Sequence, residues 1–203
     1  MSTLTKEDII NEQILQAAKR LFQTHGLQKV TMDDVAKAIG KGRSSLYYYY
    51  KSKDEIFDAV MNIEIKEMLN QLTREVEQAI SIEEKISAFF LAKLKFHQET
   101  KDFYQMLDLG MDADALSNFN KTKLVHHELI MKLEAQLLRR VLAHGQKSGE
   151  LRLMDEEESG RLVFILQSTV RGVKRELFMS NNYENIQPVI KSLTNMMMNG
   201  IRV

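Results

Sequence analysis

The residues best equipped for chemistry lie in one run: Arg43, Ser44, Ser45 and Leu46, then four consecutive tyrosines, Tyr47 to Tyr50. They offer hydrogen-bond donors, acceptors and aromatic edges rather than a nucleophile beside its base. Successive helical residues are about 100° apart, so four tyrosines in a row sweep the whole circumference of a helix. If Leu46 and Tyr50, four apart, turn toward a core, then Arg43, Ser44, Ser45, Tyr47 and Tyr48 are left facing solvent. Between Lys37 and Lys53 there are five basic residues and no acid. Such a field suits the phosphate backbone of a nucleic acid.

Other chemistries fit poorly. Asp112-x-Asp114 has the opening of a calcium loop, but Ser117 stands where the glycine is needed and Lys123 where the closing acid is needed. His126 and His127 are adjacent and point about 100° apart on a helix, the wrong geometry for one shared metal. No histidine follows a glutamate by three residues, which removes the Glu-x-x-His ligand pair of helical metal bundles. The chain has no H-E-x-x-H, phosphate loop, GxGxxG or nucleophile elbow, and no cysteine. No metal, cofactor or catalytic activity is therefore expected. The 12 methionines read either as adaptable core filler or as the wall of a malleable ligand pocket.

The elements that must position the tyrosine run are short. Thr31 and Asp34 have capping-box spacing. Met32, Val35, Ala36 and Ile39 then share one helical face. Gly40 stops that helix and Gly42 stands where the next must start, giving helix, tight turn, helix. A preceding helix from about Lys6 to His25 carries Ile10, Ile14, Ala17, Ala18 and Leu21 as an apolar stripe, and Gly26 closes it. It is the buttress for the other two.

Residues 8 to 68 resemble the DNA-binding domain of the TetR (tetracycline-repressor-like) family of bacterial transcription regulators. The matching elements are Ile14-Leu15-x-Ala17-Ala18-x-x-Leu21-Phe22, Gly26, Thr31 with Val35-Ala36, and Gly40. Ser45-Leu46-Tyr47-x-Tyr49-Tyr50 and Lys51-Ser52-Lys53-Asp54-Glu55 complete them. Two positions depart from the family. Lys41 replaces a small apolar residue, and Gly42 replaces a polar cap at a cost of a few tenths of a kcal/mol. The resemblance implies DNA contacts from Thr31, Lys41, Arg43, Ser44, Ser45, Tyr47, Tyr48, Tyr49 and Lys53. Of these, Arg43 suits guanine, while Tyr47, Tyr49 and Lys53 suit phosphates.

Composition bounds the rest. The 203 residues balance 28 basic against 28 acidic side chains, and residues 1 to 55 hold nine basic and seven acidic. A small local excess of this kind favours groove docking over a broad basic surface. One proline, no tryptophan and nine glycines point to an almost wholly helical chain. No apolar run approaches the ~18 residues of a membrane span, and the polar opening octet is unlike a signal peptide. A cytoplasmic protein is the expectation.

Apolar spacing predicts helices over about 53–79, 82–97, 119–147, 155–177 and 185–200, with a short segment at Phe103, Met106 and Leu107 and a loop over 110–118. The expected fold is all-α with about nine helices. Residues 1–52 make a three-helix, helix-turn-helix head, and 53–203 make an effector-binding and dimerising body. Family resemblance implies a small-molecule effector in the body, with Met68, Phe89, Leu94, Phe103, Met106 and Leu137 as candidate lining. It also implies a homodimer paired through the last two helices, with Leu162, Ile165, Thr169, Val173, Leu193 and Met197 as candidate interface. A dimer of heads would read a palindromic double-stranded operator. The expected function is a ligand-responsive regulator, by family habit a repressor released by its effector. A transcriptional activator on the same scaffold, a helical protein-interaction module, and a helical ligand carrier or enzyme are the alternatives.

Overall fold

A computed structural model of the chain describes residues 5–184 and 186–203. Eight helices follow one another: α1 (Lys6–His25), α2 (Met32–Ala38), α3 (Arg43–Tyr49), α4 (Lys53–Gln78), α5 (Ile82–Leu107), α6 (Ala113–Ser148), α7 (Glu156–Ser180) and α8 (Ile186–Ile201). The expected start of the last helix, Asn185, lies outside the described residues. Among the described residues there is no strand, only an isolated antiparallel bridge between Leu151 and Arg202.

Two expectations need correction, and the first of them reduces nine helices to eight. The segment holding Phe103, Met106 and Leu107 is the last part of α5, which runs unbroken from Ile82. Nothing between His97 and Leu107 is a glycine or proline, so no residue there stops the helix. The tract 110–118 is mostly helical as well. The Asp112 side chain accepts the Ala115 N–H at 2.8 Å and its carbonyl accepts the Leu116 N–H at 2.9 Å, so α6 starts in what was expected to be a loop. The acid that failed as a calcium ligand is a helix cap.

The local signals elsewhere act as their chemistry requires. Thr5 and Asp8, and Thr31 and Asp34, form reciprocal capping boxes at the starts of α1 and α2. Ser81 and Glu84 do the same before α5. Gly40 has φ +65° after α2. There the Gly40 N–H bonds the Lys37 carbonyl and the Lys41 N–H bonds the Ala36 carbonyl, both at 3.0 Å. These two bonds make a Schellman ending, which satisfies carbonyls the helix leaves over.

Contacts divide the chain into two compact units. The first holds the described residues up to Lys66 together with Thr100–His126; the second holds Glu67–Glu99 and His127–Val203. Helices α4, α5 and α6 thus each contribute to both. The first unit, the head, closes around Ile14, Ala18, Phe22, Val35, Leu46 and Ile56, which are all but inaccessible. Phe57, Phe103, Leu107 and Phe119 complete this core, so segments distant in sequence support the three short helices. The second unit, the body, is centred on Ile82, Ile86, Phe89, Phe90, Leu138, Leu142, Leu166 and Ile190.

Candidate nucleic-acid interface

Helix α3 is held by two side chains at its buried edge. Leu46 is completely buried, and the Tyr50 hydroxyl donates a 2.7 Å hydrogen bond to Asn11 Oδ1 on α1. Burial raises the Tyr50 pKa, with the Asn11 bond opposing, so the phenol stays a donor. These anchors turn the opposite face outward. Arg43, Ser44, Tyr47 and Tyr48 are exposed; Ser45 and Tyr49 are half-buried. Tyr48 is the most open, at 73%.

The exposed face is ordered by neighbours. Arg43 Nε lies 3.2 Å from Asp33 Oδ1 on α2, and its Nη2 donates to the Tyr47 hydroxyl at 3.2 Å. The guanidinium also lies 5.4 Å from the centre of the Tyr47 ring, within range of a cation–π attraction. The Tyr48 hydroxyl donates to Glu7 Oε1 at 3.3 Å, and its ring meets Tyr49 edge to face at 5.1 Å. Gly42 caps α3 with extended backbone and no side-chain bond. The first N–H groups of α3 therefore have no competing side-chain acceptor at the cap.

Two expected contacts have other work in this structure. Lys53 Nζ donates to the carbonyls of Leu27 at 2.7 Å and Gln28 at 3.1 Å, tying the α1–α2 turn to the start of α4. Desolvation lowers its pKa, partly offset by Asp54. With two of its three N–H donors committed, one is left for a phosphate. The Thr31 hydroxyl both donates to Asp34 Oδ2 and accepts the Asp34 N–H. With Asp33 and Asp34 in the first turn of α2, that helix start already carries negative charge. Lys41 is exposed beyond the α2 ending. Sequence reading missed Asp33, Glu7 and Asn11 because their partners are tertiary, on other helices.

The expected effector residues fall in both units, and three of them, Phe89, Leu94 and Leu137, share the core of the body. Phe103 and Met106 belong to the head unit, and Phe103 is part of its core. Met68, Phe89, Leu94 and Leu137 are buried in the body. The body does contain a cavity of about 390 Å³, floored by Ala88, Leu91, Ala92 and Leu94 and edged by Gln71 and Lys95. Of the six candidates only Leu94 lines it. Small residues at Ala88 and Ala92 leave the room, a signal that a search for large apolar residues passes over.

The candidate dimer residues lie on α7 and α8. Ile165 is exposed, whereas Leu162, Thr169, Val173, Leu193 and Met197 are half-buried. More open apolar side chains stand on the same two helices: Phe164, Met179, Val189 and Met196. Each helix thus has a second apolar stripe, outside the one that Val163, Leu166 and Val170 or Ile190 and Met198 turn to the core.

Comparison with known proteins agrees with this geometry. Residues 14–60 match the tetR family of bacterial regulatory proteins. The chain is 30% identical over 151 residues to YhgD, an HTH-type transcriptional regulator of Bacillus subtilis, an alignment covering 71% of this chain and 73% of that protein. It is 27% identical over 127 residues to IcaR, the negative transcriptional regulator of the biofilm operon icaADBC in Staphylococcus epidermidis, covering 60% of this chain and 68% of IcaR. Among solved structures, a TetR-family transcriptional regulator from Cytophaga hutchinsonii superposes over 100% of this chain and 99% of its own, with a TM-score of 0.71 at 15% identity. With the helix-turn-helix head, the helical body and a relative this similar along most of its length, the chain belongs to the tetR family of bacterial regulatory proteins and is a DNA-binding transcriptional regulator, not an enzyme.

Proposed function

We propose that this regulator is a homodimeric repressor that reads a palindromic operator and is released from it by a small molecule. The observation that carries the reading is the outer face of α3, where Arg43, Ser44, Tyr47 and Tyr48 are exposed on a helix fixed from behind by Leu46 and Tyr50. In the major groove Arg43 is the guanine reader, with Ser44, Ser45 and Tyr48 beside it. Tyr47, Tyr49 and Lys41 hold phosphates and fix the register. Lys53 acts first by tying the α1–α2 turn in place and second through its remaining donor. Thr31 acts as a cap. One head spans only a few base pairs, so specificity requires two, on half-sites a helical turn or a multiple apart.

Release follows from the course of α4. Its 26 residues extend about 39 Å and contribute to both units. A molecule that binds the body differently in two arrangements of α4 biases what the head presents, and only that difference in affinity drives the change. The repressor reading rests on family habit and on relatives such as IcaR, a negative regulator by name.

The deciding experiment is binding of purified protein to the DNA upstream of its own gene at two salt concentrations, beside Arg43→Ala. Tight, salt-sensitive binding that the variant loses is the expected result, because phosphate contacts release counterions. If genome-wide capture of bound DNA also yields no enriched site, the operator reading is wrong and the head docks a protein.

A further inference from the structure

Four helices of the body unit bring charged and sulfur-bearing side chains to one place. Lys93 of α5 lies with its Nζ 2.5 Å from Glu134 Oε1 of α6, and both side chains are largely buried. The same ammonium is 3.5 Å from the Met68 thioether on α4. Lys174 of α7 is within electrostatic range of both partners, repelled by Lys93 and attracted by Glu134. One turn earlier on α7, Arg171 donates from Nη2 to the Ser168 hydroxyl at 2.9 Å and from Nη1 to the Met131 thioether at 3.2 Å. Met131 and Glu134 are three apart on α6, as Arg171 and Lys174 are on α7, so these contacts stack on adjoining turns.

The charges do not balance. Lys93 and Lys174 both act on the one carboxylate of Glu134, which Lys93 already pairs, and Arg171 adds a third cation one turn away on α7. Arg171 donates to a hydroxyl and a thioether, both neutral and weak compared with a carboxylate. A buried ion pair adds little stability over an apolar pair of the same shape. Beside the pair Arg171 is half-buried and Lys174 exposed, so the extra positive charge is open to an incoming anion. Desolvation and the Lys93 charge lower the Lys174 pKa, with Glu134 opposing. Met68 and Met131 at its edges are unbranched thioethers that adapt to apolar ligands of varied shape.

We propose that Lys93, Arg171 and Lys174 form a head-group subsite for an effector that joins one carboxylate-like anion to an apolar body. This inference rests on the reading of the body as an effector domain and specifies the chemistry of what it takes. Arg171 and Lys174 stand at the more open edge and receive the anion. Lys93 lies deeper, fixed by Glu134. A neutral or cationic ligand of the same shape gains nothing from the excess charge and is discriminated against.

The test uses the full-length protein and a matched set of probes: straight-chain carboxylates from hexanoate to tetradecanoate, the corresponding alcohols, and alkyltrimethylammonium ions. Binding is read by titration calorimetry and operator affinity by gel shift. At least one carboxylate should bind about tenfold or more tightly than its alcohol, the worth of one charge-assisted hydrogen bond. Lys174→Gln and Arg171→Gln should remove that preference and leave alcohol binding unchanged. Because Lys93→Gln alone would strand Glu134, the deep position is tested with the Lys93→Met, Glu134→Leu double variant, which should fold and lose the preference. The proposal is overturned if no carboxylate in the series binds, if alcohols match carboxylates, or if these variants keep the preference. Operator binding without any probe reports separately on the DNA function. A carboxylate that binds at these residues while operator affinity stays constant upholds the anion subsite and refutes release by effector.

Discussion

At the scale of single residues, Arg43 and Gly26 show two different ways in which one side chain matters. Arg43 is arranged before any DNA arrives, by Asp33 on one side and Tyr47 on the other. A planar guanidinium can make two parallel bonds to guanine, whereas an ammonium is a point charge. Arg43→Lys should therefore keep non-specific DNA affinity and its salt slope, while the ratio of specific to non-specific binding falls about tenfold or more, by the ~1–3 kcal/mol of one bidentate pair. Gel shifts with operator and scrambled duplexes measure both quantities. An equal loss on both duplexes would show that Arg43 touches phosphate only. Gly26 works through the backbone. Its φ is +79°, and a Cβ there would stand 2.8 Å from the Met106 carbonyl oxygen, a backbone atom with little room to move. Gly26→Ala should destabilise the protein by more than about 1 kcal/mol, combining left-handed strain with the clash. Gly40 has a similar φ but no atom near its would-be Cβ, so Gly40→Asn should cost distinctly less. Chemical denaturation of the two variants compares them directly. The conformational need of both glycines was legible in the sequence as helix ends. The clash at Gly26 was not, because Met106 lies far along the chain.

At the scale of elements, what the sequence revealed was local. The capping box at Thr31 and the stripe of α1 each depend on neighbours within four residues, and a pattern of that range is visible without a structure. The full length of α5 was not legible, because His97 interrupts an apolar rhythm without being able to break a helix. The start of α6 was not legible either, because the spacing of Asp112 and Asp114 suits a ligand loop as well as a cap. Contacts between elements were illegible. Lys19 of α1 pairs with the buried Glu64 of α4, and the charge of Glu64, after burial itself, helps push the Tyr104 phenol on α5 up to about 12. Lys19→Met leaves Glu64 buried without its cation and should cost roughly 1–3 kcal/mol, below the figure for a wholly buried pair because Lys19 is partly exposed. Lys19→Met combined with Glu64→Leu should recover most of that loss. A double-mutant cycle by urea unfolding measures the coupling, and independent, additive effects would show that the pair is inert. His126 of α6 gives the head unit a pH response. Desolvation lowers its pKa from 6.5, with Asp58, 3.6 Å away, opposing. A lowered folded-state pKa means that the unfolded chain takes the proton more readily. The contribution of His126 is therefore complete above 6.5 and is lost as pH falls through 6.5 and past the folded value. His126→Phe should flatten stability against pH in that window, as thermal unfolding at a series of pH values would register. An unchanged slope would assign the response to other groups.

At the scale of the whole molecule, the proposed homodimer assigns the pairing of two heads to the outer faces of α7 and α8. Phe164 and Met196 are 64% and 73% exposed, and Ile165, Met179 and Val189 extend the same apolar character along both helices. Scattered single exposures are ordinary, whereas an apolar stripe repeated on two helices is the surface that the proposed dimer needs. A standard interface removes about 800 Å² from each partner, and two helices from each of two copies packed as a four-helix bundle supply an area of that order. The apolar spacing of these helices was legible in the sequence, but which side chains turn inward was not: exposed Ile165 was expected at the interface, while buried Val163 and Val170 and exposed Phe164 and Met196 went unassigned, because the hydrophobic period of a helix with two apolar faces is ambiguous about which face meets the core. Phe164→Glu and Met196→Glu put a carboxylate where an apolar partner is expected, and neither side chain supports the core of its own subunit. Each should convert the protein from dimer to monomer in analytical ultracentrifugation with little change in helix content. Operator affinity should fall with it. A dimer binds its second half-site at the high local concentration set by the first, and a monomer loses that gain, typically about 10²-fold or more. Affinity for an isolated half-site should stay as it was, since α3 is untouched. Ile80→Glu, at a still more exposed position between α4 and α5, is the control and should alter neither mass nor affinity. If the α7 and α8 variants remain dimers and bind the operator normally, the subunits pair through another surface. If they become monomers but still bind the full operator at wild-type affinity, specificity does not come from paired heads, and the argument from half-sites fails with it.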